Sequence, residues 1–505
     1  LDELNNFTVS QLLNDYGLEL IDSARKIPKF YTLEGWQNYV SPQIEKVVQS
    51  ASEVDWVIDV ALHNLNKVQT YKTINSLLIT KFRGQMIELY LSEYTDAWLK
   101  FLSSIHIQKF ASLDDAAAQF RVLYQTQGPI VQLFDKLKEN MSIMDLIDIK
   151  YTSLHVQKTF KSLQTLSQVN GKMLESYLKE LGAIQSDLER MTGSPDLSRD
   201  ALDYGQSILS SRGTNIELQK GARLVDKLLG DVDSMVTRKL LKPLLLSPIQ
   251  EAWRVILLEA KRGLDRRWFD EVFRTYQSEL RNKFPFSGND DEASEADVVE
   301  FFRKGDGILW GFIHDKLIAF VDNRNDRFKN KEWLGIGLGL SNKFLNALSF
   351  SKKVSDGLFK GDKFGFDFYI YPEPTTGLKE ILFESGRKYF RYQNGPQEWV
   401  NFSWPGDNSA EGALLRLSPI DGHATITLEF INMWGVLHLF EKAKLTPLTR
   451  SKFKATWQLK GSDGRLYAVS MYVRGDGRNS ILNALLFNKQ SLPKYLFDTT
   501  TQETI

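Results

Sequence analysis

Cysteine is absent from all 505 residues. That excludes a disulfide framework, a thiolate nucleophile, a zinc finger and an iron–sulfur centre. A surplus of charge is missing too, because 63 Lys and Arg balance 63 Asp and Glu. Without a positive field the chain has no evident attraction to nucleic acid or anionic lipid. Apolar runs stay short, as at Leu244-Leu245-Leu246, far below the ~20 residues a membrane-crossing helix needs. The six histidines, His63, His106, His155, His314, His423 and His438, are too dispersed for a His-Glu-x-x-His metal helix. Neither a Gly-x-Ser-x-Gly elbow nor a repeat of fixed period is present.

What remains is the composition of an ordinary folded protein, 42% hydrophobic, 25% charged and 12% aromatic. Its length implies about three domains. Absence of cysteine suits an oxidising compartment. The opening Leu1-Asp2-Glu3 reads as the start of a piece of a longer protein.

The first two-thirds carry a helical period. Ile74, Leu77, Leu78, Phe82, Met86, Leu89, Ala97, Trp98 and Phe101 predict one apolar face over 72–103, and Met173, Tyr177, Leu181, Ile184 and Leu188 predict another. Helix starts are expected at Ser41-Pro42, Ser112-x-x-Asp115, Thr214-x-x-Glu217, Ser247-Pro248 and Ser294-x-x-Asp297. Stops are expected at Gly193-Ser194-Pro195 and Phe284-Pro285-Phe286. Near 364 the period becomes two. Phe364/Phe366/Phe368/Ile370, Ala424/Ile426/Leu428/Phe430, Phe453/Ala455/Trp457/Leu459 and Tyr467/Val469/Met471/Val473 each alternate with other residues. These are half-buried antiparallel strands, with Ser462-Asp463-Gly464 as a hairpin turn. The expected architecture is multidomain, α then β: a helical stalk over 1–285, divisible near 193–214, a helical connection over 286–360, and an antiparallel β-sandwich over 361–505 with one inserted helix at 432–444.

Candidate chemistry is sparse. Gly335-Ile336-Gly337-Leu338-Gly339 lacks the Gly-Lys-Ser/Thr of a phosphate loop and reads as a flexible interdomain turn. Asp290, Asp291, Glu292, Glu295 and Asp297 lack EF-hand spacing and read as part of an exposed polar loop over 286–299. Asp367, Glu373, Glu380 and Glu384 are the acids an enzymatic reading would use. No catalytic residue, cofactor or metal is assigned. Aromatics crowd 389–404: Tyr389, Phe390, Tyr392, Trp399, Phe402 and Trp404. Most read as core, and the remainder as a binding patch. Trp404-Pro405-Gly406 predicts a type II turn, and Asn394-Gly395-Pro396 predicts another turn.

The stretch Gly395-Pro396-Gln397-Glu398-Trp399-Val400-Asn401-Phe402-Ser403-Trp404-Pro405-Gly406 resembles part of the IcmF/TssM family of type VI secretion. Other stretches agree in order: Tyr31…Gly35-Trp36, Tyr90–Trp98, Gly128–Phe134, Phe284-Pro285-Phe286 with Phe301-Phe302 and Gly305-Asp306-Gly307, and Trp434–Phe440. Asn479-Ser480-Ile481 departs from the family's frequent Asn-Pro-Phe. The resemblance implies a structural, non-enzymatic protein in the periplasm of a Gram-negative bacterium. It implies a parent anchored by inner-membrane helices outside this sequence. The implied partners are the inner-membrane protein TssL, the outer-membrane lipoprotein TssJ, and further copies of the chain in a multi-copy ring. Lipoprotein contact is expected on loops and edge strands within 361–505. The other reading is an envelope module binding carbohydrate or peptidoglycan through the aromatics around Trp399 and Trp404.

Overall fold

The computed structural model describes residues 20–53, 68–148, 171–210, 216–230, 235–406, 412–475, 480–487 and 489–498, with isolated positions between 149 and 170. They divide into two compact units, Leu1–Ala260 and Lys261–Ile505.

The first unit is helical. Helix α1 spans 33–53 and starts earlier than Ser41. Its cap is Thr32, whose Oγ1 accepts the Gly35 amide at 3.0 Å. Ser41-Pro42 lies inside the helix, directly after a wider π-turn at Trp36–Val40. The long helix α2 (Val68–Ser104) buries Ile87, Tyr90, Leu91, Tyr94, Trp98 and Phe101. The expected face is therefore wrong over its first half. Leu77, Leu78, Phe82 and Leu89 are exposed, and the Ile74 side chain lies outside the described residues. Aromatic side chains with polar tips win the interior because each tip finds a carbonyl. Tyr90 Oη donates to Phe30 O, Tyr94 Oη to Asn140 O and Trp98 Nε1 to Tyr31 O, all at 2.8 Å.

Helices α3 (Leu113–Leu123), α4 (Pro129–Met141), α5 (Gly171–Thr192), α6 (Leu197–Leu209), α7 (Glu217–Gly230) and α8 (Met235–Lys261) follow. Ser112 caps α3 as expected, its Oγ accepting the Asp115 amide at 3.1 Å. Tyr177, Leu181, Ile184 and Leu188 form the buried face of α5. Thr214 lies outside the described residues. Ser247 is not a cap, because α8 runs through both Pro243 and Pro248. Pro248 has no amide to offer the Leu244 carbonyl. Ser247 Oγ donates to that carbonyl at 3.1 Å instead, while Leu244, Leu245, Leu246 and Ile249 are all buried. Burial of this apolar run outweighs the proline penalty.

Glu180 on α5 faces Glu217 on α7, and its Oε1 is buried without a hydrogen-bond partner. Burial, and then the Glu217 charge, raise its carboxyl above the ordinary value. The folded chain therefore holds this proton more tightly than the unfolded chain. Its contribution favours folding at low pH and is lost as pH rises through the raised value. Glu180→Gln should increase the melting temperature by roughly 1–2 °C at neutral pH. The gain should vanish near pH 4, as followed by circular dichroism melts across pH.

The second unit begins with a helical layer: α9 (264–280), α10 (Glu295–Phe302), α11 (308–317) and α12 (Asn342–Leu358). Ser294 caps α10 as expected. The Gly335 stretch is a two-residue hairpin turn rather than a flexible joint. Trp333 pairs with Ile336 across Leu334 (φ 51°) and Gly335 (φ 79°), and Leu338 is fully buried.

The sandwich follows, with strands β1 (Phe366–Pro372), β2 (Leu378–Ser385), β3 (Lys388–Tyr392), β4 (Val400–Trp404), β5 (Ala413–Pro419), β6 (Ile426–Phe430), β7 (Lys444–Pro447), β8 (Lys452–Lys460) and β9 (Leu466–Gly475). They form an antiparallel four-stranded sheet, β3-β2-β5-β6, and an antiparallel five-stranded sheet, β4-β1-β9-β8-β7. Inward residues of the two sheets meet. Phe383 of β2 lies 6.4 Å from Phe368 of β1 and 5.2 Å from Phe402 of β4, by ring centroid. The inserted helix α13 (Gly435–Glu441) adds Phe440 to the same core. Helix α14 (Ile481–Phe487) closes the described elements. Alternation in β8 and β9 is as expected, whereas the apolar residues of edge strand β6 are only half-buried. The Trp404–Pro405 peptide is cis, and Gly406 takes the left-handed conformation, with φ of 80°.

Candidate functional site

The 286–299 segment is not a free loop. The Phe284 amide donates to Asp291 O, and the Ala293 amide donates back to Phe284 O at 2.9 Å. Ala293 O then accepts Trp434 Nε1 at 2.9 Å. Trp434 stacks on Trp404 at 4.5 Å, and Trp404 Nε1 donates to Met433 O at 2.7 Å. Glu292 Oε1 lies 2.9 Å from His438 Nε2, and that imidazole stacks on Phe284 at 3.7 Å. Asp297 instead accepts from Ser294 Oγ at 2.6 Å. Glu292 thus joins this segment to the His438 side chain, whereas the Asp297 carboxylate serves the start of its own helix.

The acids of 367–384 likewise do not converge. Asp367 faces outward on β1, where it accepts from Ser403 Oγ at 2.7 Å and pairs with Lys360. Glu373 pairs with Lys454 at 2.6 Å. Glu380 is outward on β2 in the other sheet, bonded to Gln393 Nε2 at 2.7 Å, and Glu384 shares its strand face.

The aromatic run at 389–404 is split by the pleat of β4. Phe402 and Trp404 point into the core, while Trp399 stands on the outer face 5.2 Å from Tyr371. Trp399 and Trp404 therefore cannot share one ligand surface. Tyr392 is buried and Tyr389 is 64% exposed on edge strand β3.

One end of the sandwich gathers loops whose sequence positions are far apart. The turn between β8 and β9 closes through Gly464 N to Gly461 O at 3.0 Å. Arg465 Nη1 reaches Asp421 Oδ2 at 2.9 Å, joining this turn to the β5–β6 loop. His423 Nε2 lies 3.6 Å from Asp421 Oδ2 and 3.9 Å from Asp463 Oδ2. Burial works to raise the Asp463 carboxyl. Hydrogen bonds from the Arg465 amide and Tyr467 hydroxyl, with the charges of His423 and Arg465, hold it below the ordinary value. Asp421, His423 and Asp463 come within 4.8 Å of one another, a spacing at which a divalent ion could be held. The Arg465 guanidinium already serves both carboxylates, so the group acts as a loop-to-loop clasp. Beside it Ile420 and Leu466 are 65% and 69% exposed. No local spacing links residue 421 to 463, so sequence reading missed this cluster.

Three family profiles match the chain in order. They are IcmF-related ("Intracellular multiplication and human macrophage-killing") at 2–142, the type VI secretion protein IcmF helical domain at 259–363, and the type VI secretion protein IcmF C2-like domain at 368–470. The chain belongs to the IcmF/TssM family. Among solved structures this IcmF-family chain is similar to one from a "Type VI secretion system membrane core complex", with 20% identity and a TM-score of 0.63 over 98% of this chain and 96% of that one. A second, from a "Type VI membrane complex", shares 19% identity with a TM-score of 0.64 over 84% and 89%. Those likenesses establish the helical-then-β fold. No curated protein matches in sequence. Among the described residues no helix is long and apolar enough to cross a membrane.

Proposed function

We propose that this chain is a structural, non-enzymatic part of a type VI secretion membrane complex. It lies in the periplasm and connects the inner-membrane side, where TssL resides, to an outer-membrane lipoprotein of the TssJ kind. The observation carrying this reading is the ordered match of helical and C2-like IcmF domains over one chain. Assembly into a multi-copy ring belongs to the same reading, which draws support from the membrane-complex chains sharing the fold.

The lipoprotein contact is placed at the loop end of the sandwich. There the Arg465–Asp421 clasp fixes two loops and leaves Ile420 and Leu466 open to solvent. Apolar side chains on a pre-ordered frame lose little conformational entropy on binding. The test is co-purification of the full chain with candidate outer-membrane lipoproteins. The unaltered chain should capture one of them. Ile420→Asp combined with Leu466→Asp should weaken capture at least about tenfold, since buried anchors at interfaces are worth about 2 kcal/mol each. Undiminished capture by the double variant would move the contact elsewhere, and failure of the unaltered chain would remove the reading.

A further inference from the structure

The outer face of the five-stranded sheet carries two cations in an unfavourable place. Lys452 of β8 and Arg474 of β9 are direct cross-strand partners. Like charges directly opposite each other destabilise a sheet. The nearby acid does not relieve them, because Glu373 is engaged by Lys454 at 2.6 Å. Among the described residues neither Lys452 nor Arg474 forms an ion pair with a carboxylate.

Aromatic rings hold the two cations in place. Lys452 Nζ lies 4.7 Å from the Tyr472 ring centroid and 5.3 Å from that of Trp399. The Arg474 guanidinium carbon lies 4.6 Å from the Trp399 centroid and 4.7 Å from that of Tyr369. Cation–π attraction offsets part of the repulsion but leaves the outward N–H donors unused. The result is a rigid pair of positive groups on a chain whose net charge is zero.

We propose that this face is a docking surface for a protein segment bearing carboxylates, with Arg474 and Lys452 binding the acid groups and the Trp399 ring holding both cations in position. A planar guanidinium held on a ring is suited to bidentate carboxylate recognition. The composition of Trp, Tyr and Arg matches the residues that dominate protein–protein hot spots. A sugar would need an open ring face for stacking, and the Trp399 ring already has Lys452 and Arg474 over it. The surface is separate from the loop end assigned to the lipoprotein, and the proposal does not depend on that assignment.

The test uses the full chain and a fluorescently labelled nonapeptide of alternating glutamate and serine, followed by anisotropy at low salt. Saturable binding that weakens as salt is added is expected. The glutamine counterpart should not bind. Arg474→Glu should reduce affinity at least tenfold and Trp399→Ala severalfold, with Arg474→Lys between them and the unaltered chain. In the free protein Arg474→Glu should not lower the melting temperature, because the new carboxylate faces Lys452. That separates a docking role from a structural one. The proposal is overturned by absent binding, by equal binding of the glutamine peptide, or by unchanged binding of Arg474→Glu. Displacement of the peptide by chitotetraose or by phosphatidylglycerol vesicles would also overturn it, in favour of a glycan or lipid surface.

Discussion

Replacing Trp434 by alanine should destabilise the 261–505 unit by about 3–5 kcal/mol, the range for truncating a fully buried large aromatic. The side chain has no exposed surface. Its ring stacks on Trp404, and its Nε1 supplies the hydrogen bond to Ala293 O. Truncation leaves a large void against a second tryptophan and an unpaired carbonyl at Ala293. Trp434→Phe separates the two effects: it keeps an aromatic ring and gives up the donor, so its cost should be lower, about 1–3 kcal/mol. Denaturant unfolding should show both shifts in transition midpoint. Exchange protection of the Trp404 indole N–H, bonded to Met433 O, lost only in Trp434→Ala would place the loss in ring packing. An alanine variant as stable as the phenylalanine variant would show that the stack contributes little.

Gly412→Ala should cost about as much, by another route. Gly412 has φ of +63°, and a Cβ there would sit 1.9 Å from Phe430 O and 2.7 Å from Ile431 Cα. The left-handed conformation alone costs alanine about 1–2 kcal/mol. The clash is with backbone, so no side chain can rotate away. Relief requires opening the β5–β6 ladder at the Ala413–Phe430 pair. A total of at least about 3 kcal/mol is expected, at the upper end for point substitutions. Gly422→Ala is the matched control: its φ is +79°, but nothing lies within 4 Å of the added carbon. Only the conformational cost should appear there. Equal melting temperatures for the two variants would show that the strand approaches less closely at Gly412 than these distances indicate.

The strands were legible because period-two alternation survives whatever the partner strand is. Residues 453–459 and 467–473 show it, and the Ser462-Asp463-Gly464 turn joins them in register. The family resemblance was legible because Tyr90, Tyr94, Trp98, Trp404 and Trp434 are large buried groups whose polar atoms need particular carbonyls or whose rings need particular neighbours. The buried face of α2 was not legible. Leu77, Leu78, Phe82 and Leu89 offer an apolar stripe as regular as the tyrosine–tryptophan stripe, and periodicity cannot say which one meets a neighbour. Ser41-Pro42 and Ser247-Pro248 look like helix starts locally, but each lies inside a helix. The loop-end clasp was illegible for a plainer reason: Asp421, His423 and Asp463 come together only through the strand order of the sandwich. The same limit hid the Lys452–Arg474 pair, because their opposition depends on register.

The segment 489–498 packs on the helical layer. Leu492 and Leu496 are buried, Trp268 Nε1 donates to Pro493 O at 3.0 Å, and the Leu496 amide donates to Asp265 Oδ1 at 2.7 Å. The Trp434–Ala293 bond separately fastens α13 of the sandwich to the segment just before α10. A pull on α13 would therefore be passed straight to the start of α10, through one buried hydrogen bond and the tryptophan stack behind it.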